Sequence, residues 1–181
     1  MSAKPLVTIL CPTDFRFTDA DASVETPFLS DVAEIKTVWF NYNAPMPAEV
    51  FSAQALILWH GPKVDAAVIG QLKNCRVIIR NGVGFDTVDL AAAAKAGIPV
   101  CNVPDYGTEE VADHALALTL ALYRQLFPLD AEAKRLGWKI NTSAKMRRLN
   151  TQTFGVVGLG RIGTAAALRA KAFGFKVVFY D

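Results

Sequence analysis

Gly158, Gly160 and Gly163 stand in the order Gly-Leu-Gly-Arg-Ile-Gly, behind an apolar run (Phe154–Val157) and ahead of a helical one (Arg161–Phe173). In such a turn the first glycine makes the tight bend. The second lets a pyrophosphate come close to the backbone, and the third lets the helix pack against the strand. The helix start, at Arg161 and Ile162, offers amide protons and a partial positive charge to phosphate. A second apolar run, Lys176–Tyr180, ends on Asp181. An acid there hydrogen-bonds ribose hydroxyls and repels a 2′-phosphate, so the chemistry is NAD binding in preference to NADP. The bland alternatives are a structural turn and a solvated charge. Strand, helix and acid in the right order outweigh the first of these, and the second stays open for Asp181.

A second group of residues suits a small anion. Arg80-Asn81-Gly82-Val83-Gly84 follows a β-rich run. Ligand crevices of parallel sheets lie at the carboxyl ends of strands. Glycines at 82 and 84 let amides point into such a crevice, and a nest of amides suits a carboxylate. Trp59-His60-Gly61 ends another run on the same edge, where a lone His is often only a hydrogen-bonded loop residue. Thr108 opens a long helical run, as its N-cap, as a cofactor contact between the domains, or as both. His114 reads as an ordinary residue of that helix. No residue is assigned the proton-transfer role of general acid–base catalysis.

These groups need elements to hold them. Leu6–Cys11, Thr37–Asn41, Ala55–Trp59, Arg76–Arg80 and Ile98–Asn102 are short, nearly continuous apolar runs, the pattern of parallel strands covered on both faces. Helical segments lie between them. Pro47 starts one. Asp65–Leu72 and Asp89–Lys95 each open on an aspartate cap, and Gly97 closes the second. The rhythm predicts an α/β fold with a doubly wound parallel sheet. After Asn102–Gly107, where the domain boundary is placed, one long helix is predicted over about Thr108–Leu126. Val111, Ala115, Leu118 and Leu122 fall on one face of it. Pro128 is expected to interrupt it, Ala131–Gly137 to form a second short helix, and Trp138–Gln152 a loop or arm.

Composition excludes other classes. Nineteen basic against seventeen acidic residues leave +2, too little to argue for nucleic acid. The densest basic cluster, Lys145, Arg147 and Arg148, reads as a solvated loop. Cys11, Cys75 and Cys101 form no C-x-x-C pair and read as buried hydrophobes, so neither a disulfide framework nor a metal site is expected, and a reducing cytoplasm fits. No apolar run is long enough to span a membrane, and the N-terminus reads as a first strand rather than a targeting segment.

The two stretches RNGVGFDTVDLAAAAKAGIPVCNVPDYGTEEVADHALALTLALYR and GVVGLGRIGTAAALRAKAFGFKVVFYD together resemble the D-isomer-specific 2-hydroxyacid dehydrogenases. Within them the chain is most similar to the branch that holds the C-terminal binding protein corepressors. The resemblance is strong from about Ala55 onward and looser before it. It implies a flavodoxin-like substrate domain (residues 1–106), a connector helix and arm (107–152) and the first βαβ unit of a Rossmann NAD-binding domain (153–181), in a protein of about twice this length. It implies NAD-dependent hydride transfer to a 2-keto acid or from a D-2-hydroxy acid. Arg80, Val83, Gly84, Trp59 and His60 would lie by the substrate. Gly158, Gly160, Arg161, Ile162, Gly163, Asp181, Thr108 and Val83 would lie by the cofactor. The family's catalytic arginine, glutamate and histidine would lie beyond Asp181, so the 181 residues alone are expected to be inactive. A lone βαβ unit cannot bury both faces of its own sheet, and a homodimer around the cofactor domain is implied.

Two other readings compete. One is an NAD-sensing, corepressor-like binding protein without significant turnover. The other is an S-adenosylmethionine enzyme, against which Arg80–Asp89 and Asp181 argue. Trp59 and Phe85 favour an apolar or aromatic keto acid over phosphoglycerate.

Overall fold

A computed structural model describes residues 3–13, 22–41, 44–136 and 146–181. The chain divides into two compact units, Met1–Pro104 and Asp105–Asp181.

The first unit is a five-stranded sheet: β1 (Leu6–Pro12), β2 (Glu34–Phe40), β3 (Ala55–Leu58), β4 (Ile78–Arg80) and β5 (Val100–Asn102). The order is β2-β1-β3-β4-β5 and every pairing is parallel. This is the flavodoxin-like order, which reverses between β1 and β3. Strand periodicity sorts the side chains into two cores. Leu10, Leu56, Leu58 and Ile78 face one side, with Val50, Ile69, Leu72 and Ala93 packed on them. Val7, Ile9, Cys11 and Ile57 face the other, with Ala22 and Ala33. Leu10, Leu56 and Leu58 are fully buried, each worth roughly 1.5–3 kcal/mol over an exposed position.

Short helices bridge the strands. α1 (Thr26–Leu29), a short turn with Pro27 at its start, was not expected from the sequence. The segment after Pro47 is a 3-10 turn, Ala48–Ser52. α2 (Ala66–Ile69) and α3 (Leu90–Lys95) open as expected on Asp65 and Asp89, whose carboxylates accept the amides of Val68 (3.0 Å) and Ala92 (2.9 Å). Gly97 follows α3 at φ +71°. β2 begins earlier than the apolar run suggests, because the first half of this edge strand carries exposed Glu34 and Lys36; Trp39, on the opposite face, is exposed as well. Cys11 and Cys75 are buried, but Cys101 is exposed, against expectation.

The second unit holds α4 (Thr108–Tyr123), α5 (Leu126–Leu136), β6 (Thr153–Val157), α6 (Arg161–Ala172) and β7 (Lys176–Tyr180), with β6 and β7 paired in parallel. Gly107, not Thr108, is the N-cap of α4, and no side chain caps it. Pro128 does not interrupt a helix. The break comes earlier, at Gln125, whose φ is +54°, and Pro128 sits in the first turn of α5, where proline costs no hydrogen bond. Most of the expected arm, residues 138–145, and with it Lys145, lies outside the described residues; Arg147 and Arg148 are exposed.

α4 packs on α6 through Ala112 and Leu116 against Ala165, Ala166 and Ala170, with Phe175 beneath. The ring of Phe175 meets Tyr123 edge-on at 5.4 Å and Phe154 at 5.7 Å. The Val111, Leu118 and Leu122 stripe takes no part in this contact; all three are exposed, Leu122 at 74%. Alanines make the contact because they let two helices approach closely. Arg169 of α6 ties the first turns of α4 down, its Nε donating to Asp113 (2.5 Å) and its Nη2 to Glu109. These two acids raise the Arg169 pKa further above its ordinary value. Val157, Val178, Phe179 and Tyr180 are exposed, so β6 and β7 bury little of one face.

Candidate functional site

In the second unit the glycine loop has the geometry its residue types suggest. Gly158 follows β6 at φ +90°, and its amide donates to the Tyr180 carbonyl at 2.8 Å. A Cβ at Gly163 would lie 1.9 Å from the Gly158 carbonyl oxygen, so α6 can approach β6 only without that atom. A Cβ at Gly160 would meet nothing within 4 Å, which leaves open space in front of the loop. The first helical bond at this end runs from the Thr164 amide to the Gly160 carbonyl (2.9 Å). The amides of Arg161, Ile162 and Gly163 precede it and are the donors a helix start leaves for an anion. Thr164 Oγ1 donates to the Leu159 carbonyl at 2.9 Å and pins the loop.

Asp181 closes the arrangement. Its Oδ1 accepts the Leu159 amide proton at 2.8 Å. That bond holds the carboxylate beside the loop at the end of β7, with its other oxygen left for hydroxyls. An open groove of about 760 Å³ runs along this unit, lined by Asp105, Thr108, Glu109, Arg161, Thr164 and Arg169 among others. It brings Thr108, at the start of α4, and Arg161, at the start of α6, to one cavity. Open space at Gly160, donors at the helix start and a fixed acid together fit a dinucleotide.

In the first unit the site residues cluster after β3 and β4, one strand from the switch point. Leu58 and Arg80 are register partners, so the residues following them are neighbours. Arg80 is buried at 5% exposure, and its Nη2 donates to His60 Nδ1 at 2.9 Å. Burial first, and the Arg80 charge second, lower the His60 pKa below 6.5. The loop beyond Arg80 is held by Gly82, whose carbonyl accepts the Val103 amide (3.0 Å), and by Val83, whose carbonyl accepts from Asn102 Nδ2 (2.8 Å). Val83 and Gly84 are exposed, and no hydrogen bond printed among the described residues takes up their amides. Trp59 is half-buried against the second core of the sheet. His114 is exposed on α4. The sequence reading named Arg80 and His60 separately; their contact follows only from the pairing of β3 with β4. Among the described residues no group of three or more His, Cys, Asp or Glu side chains is placed to hold a metal, and no helix is long and apolar enough to cross a membrane.

A model of the D-isomer specific 2-hydroxyacid dehydrogenase catalytic domain matches residues 17–172. The chain belongs to this family. C-terminal-binding protein 1 of Caenorhabditis elegans is 34% identical over 99% of this chain and 25% of its own length. The D-3-phosphoglycerate dehydrogenase of Mycobacterium leprae is 39% identical over 84% of this chain and 29% of its own. Among solved structures, the D-lactate dehydrogenase of Aquifex aeolicus, in complex with NAD and lactic acid, superposes with a TM-score of 0.82 at 29% identity, over 97% of this chain and 51% of that one. The chain therefore spans a quarter to about half the length of these family members. The matched residues include Arg80 at the sheet edge and the glycine loop Gly158–Gly163, and stop short of Asp181.

Proposed function

We propose that this protein is an NAD-dependent oxidoreductase that acts on the CH–OH group of a D-2-hydroxy acid or reduces the matching 2-keto acid. The observation that carries the reading is the loop Gly158–Gly163 with Asp181 bonded to Leu159 at 2.8 Å, a built dinucleotide site in a chain of this family. NAD, when bound, supplies the hydride acceptor. Gly158, Gly160, Arg161, Ile162 and Gly163 would hold its pyrophosphate, Asp181 its ribose, and Thr108 and Val83 its remaining contacts. Arg80, Val83, Gly84, Trp59 and His60 would form the substrate side. There the amides of the exposed residues Val83 and Gly84 would suit the carboxylate common to all 2-keto acids. The exposed ring of Phe85, 46% open, favours an apolar substrate side chain.

In this reading residues 1–106 are the substrate domain, 107–152 a connector and arm, and 153–181 the opening of the NAD-binding domain. The exposed Val111, Leu118 and Leu122 face of α4 meets a second copy in a twofold dimer, and the protein works in the cytoplasm. Neither His60 nor His114 is assigned the proton-transfer role, and the 181 residues by themselves are expected to show no turnover. A binding protein that senses NAD is the second reading, favoured by the 34% identity to C-terminal-binding protein 1 across 99% of the chain.

The test is a titration with NADH and NADPH by fluorescence, followed by NADH oxidation with a panel of 2-keto acids. Tighter binding of NADH with turnover supports the enzyme. Binding without turnover, in a protein that carries the family's catalytic arginine, glutamate and histidine, supports the sensor. No NADH binding sinks both.

A further inference from the structure

Arg169 grips two helices at once. Its Nη1 donates to the Ala165 carbonyl of its own helix at 3.1 Å, its Nε to Asp113 at 2.5 Å and its Nη2 to Glu109. Glu109 and Asp113 stand four residues apart on α4, so they share a face on successive turns. A guanidinium is planar and holds its donors in a fixed fork. A fork that reaches two turns of α4 from one point on α6 fixes both the rotation of α4 about its axis and its position along α6. The apolar contact fixes these less firmly. It sets Ala112 and Leu116 on Ala165, Ala166 and Ala170. Packed helices find their register when ridges of side chains enter grooves, and alanine makes a low ridge. The start of α4 also lacks a side-chain cap, its N-cap being Gly107, so its first turn frays readily.

That placement sets the groove of about 760 Å³ on this unit. Asp105, with Thr108 and Glu109 of the first turn of α4, lines one part of it; Arg161, Thr164 and Arg169 of α6 line another. Arg169 lies eight residues behind Arg161 on α6, roughly 12 Å along the axis. It is therefore set back from the amides of Arg161, Ile162 and Gly163, the donors at the helix start.

We propose that Arg169 is a positioning residue for the dinucleotide. By gripping Glu109 and Asp113 together it sets Thr108 against the amides at the start of α6, so that one cofactor meets both. The identity of the cofactor rests on the dehydrogenase reading; the tether between α4 and α6 stands without it. The sign of the effect separates this role from a direct electrostatic one. Glu109 and Asp113 are negative and about two-thirds exposed. Were charge alone at work, removing them would tighten the binding of a pyrophosphate. If they are the grips by which Arg169 places α4, removing them loosens it.

The test is a fluorescence titration with NADH of the wild-type protein and of the double variant Glu109→Ala with Asp113→Ala, which removes both acceptors and suits a helix. Binding should weaken roughly three- to tenfold, the effect of one misplaced hydrogen bond. The urea midpoint should change little, because exposed ion pairs contribute little to stability. Arg169→Met should weaken NADH by the same factor, and Arg169→Lys, which keeps the charge and loses the fork, should weaken it likewise. Combining Arg169→Met with the double variant should add nothing further, since all three side chains form one contact. Glu110→Gln, in the same turn but outside the tether, should leave NADH binding unchanged or tighten it. Hydrogen exchange reads the tether without cofactor: the Val111 amide, bonded to the Gly107 carbonyl at 3.0 Å, should exchange faster in the Arg169 variants and not in Glu110→Gln. Unchanged or tighter NADH binding in the double variant, or wild-type affinity in Arg169→Lys, overturns the positioning role. A wild-type protein that binds no NADH removes the proposed cofactor together with the dehydrogenase reading, and faster exchange then still supports the tether. Unchanged exchange in folded Arg169 variants overturns the tether itself.

Discussion

Gly163 lies so close to Gly158 that a Cβ on the first would sit 1.9 Å from the carbonyl oxygen of the second. The obstacle is backbone, which cannot swing aside. Gly163→Ala should therefore force α6 away from β6 and cost about 1–3 kcal/mol of stability, with loss of NADH binding. Gly160→Ala is the contrast, since its Cβ meets nothing within 4 Å. It should leave stability within about 1 kcal/mol and still weaken NADH, because it fills the space in front of the loop. Urea unfolding and a fluorescence titration on both variants separate the two effects. Equal losses of stability would contradict the packing argument.

Asp181 accepts the Leu159 amide, and in the proposed function the same carboxylate selects the cofactor. Asp181→Ala should narrow the preference for NADH over NADPH by roughly tenfold or more, since a repelled 2′-phosphate is no longer opposed and a ribose hydrogen bond is lost. Titration with both cofactors reads this directly. An unchanged ratio would assign discrimination to other residues.

Thr8 is fully buried in β1, and its hydroxyl has no hydrogen-bond partner among the described residues. Thr8→Val keeps the shape and removes a desolvated polar group. Stability should rise by about 1 kcal/mol, seen as a higher urea midpoint with an unchanged slope. A lower midpoint would show that the hydroxyl is bonded in solution.

Leu122 is 74% exposed on α4, so Leu122→Asp should change the stability of the chain by no more than about 0.5 kcal/mol. If the exposed face joins two copies, the same change should convert a dimer to a monomer in light scattering over a concentration series. A dimer that survives the charge places the interface elsewhere.

His60 should give stability a shallow dependence on pH. Its folded pKa lies below the unfolded value of 6.5. In the window below 6.5 the unfolded chain binds more protons, so stability falls as pH drops through 6.5 toward the lowered value, and is fully retained above it. His60→Gln should flatten that part of the curve in urea midpoints measured from pH 7.5 down to about 5.5. A slope that persists in the variant belongs to other groups.

Some of this was readable without coordinates, and the reasons are physical. β1 and β3 are covered on both faces, so their apolar runs are unbroken and their limits nearly correct. β2 is an edge strand, and the exposed Glu34 and Lys36 in its first half hid its start. The α4 helix was legible, but its packing through Ala112 and Leu116 on the alanines of α6 was not, because the period alone does not say which apolar face meets which neighbour. Thr108 looked like a cap, but the helix starts one residue too early for it. The glycine loop was legible because its chemistry depends on residue type at fixed local spacing. The Arg80–His60 contact was not, because it arises between residues brought together only by strand pairing.

β1 is hydrogen-bonded to β2 on one side and to β3 on the other, so the sheet cannot assemble in chain order from one edge. β1 is made before both of its partners, ends up inside, and waits with one flank open until β3 has been made. Each partner is parallel and arrives only after a crossover, and such pairings demand loop closure before they return any free energy. β6, α6 and β7 follow one another directly and need no distant partner to pair. Folding of the first unit should be slow and dependent on how β1 is protected in the interval, whereas the glycine loop can form as soon as β7 is complete.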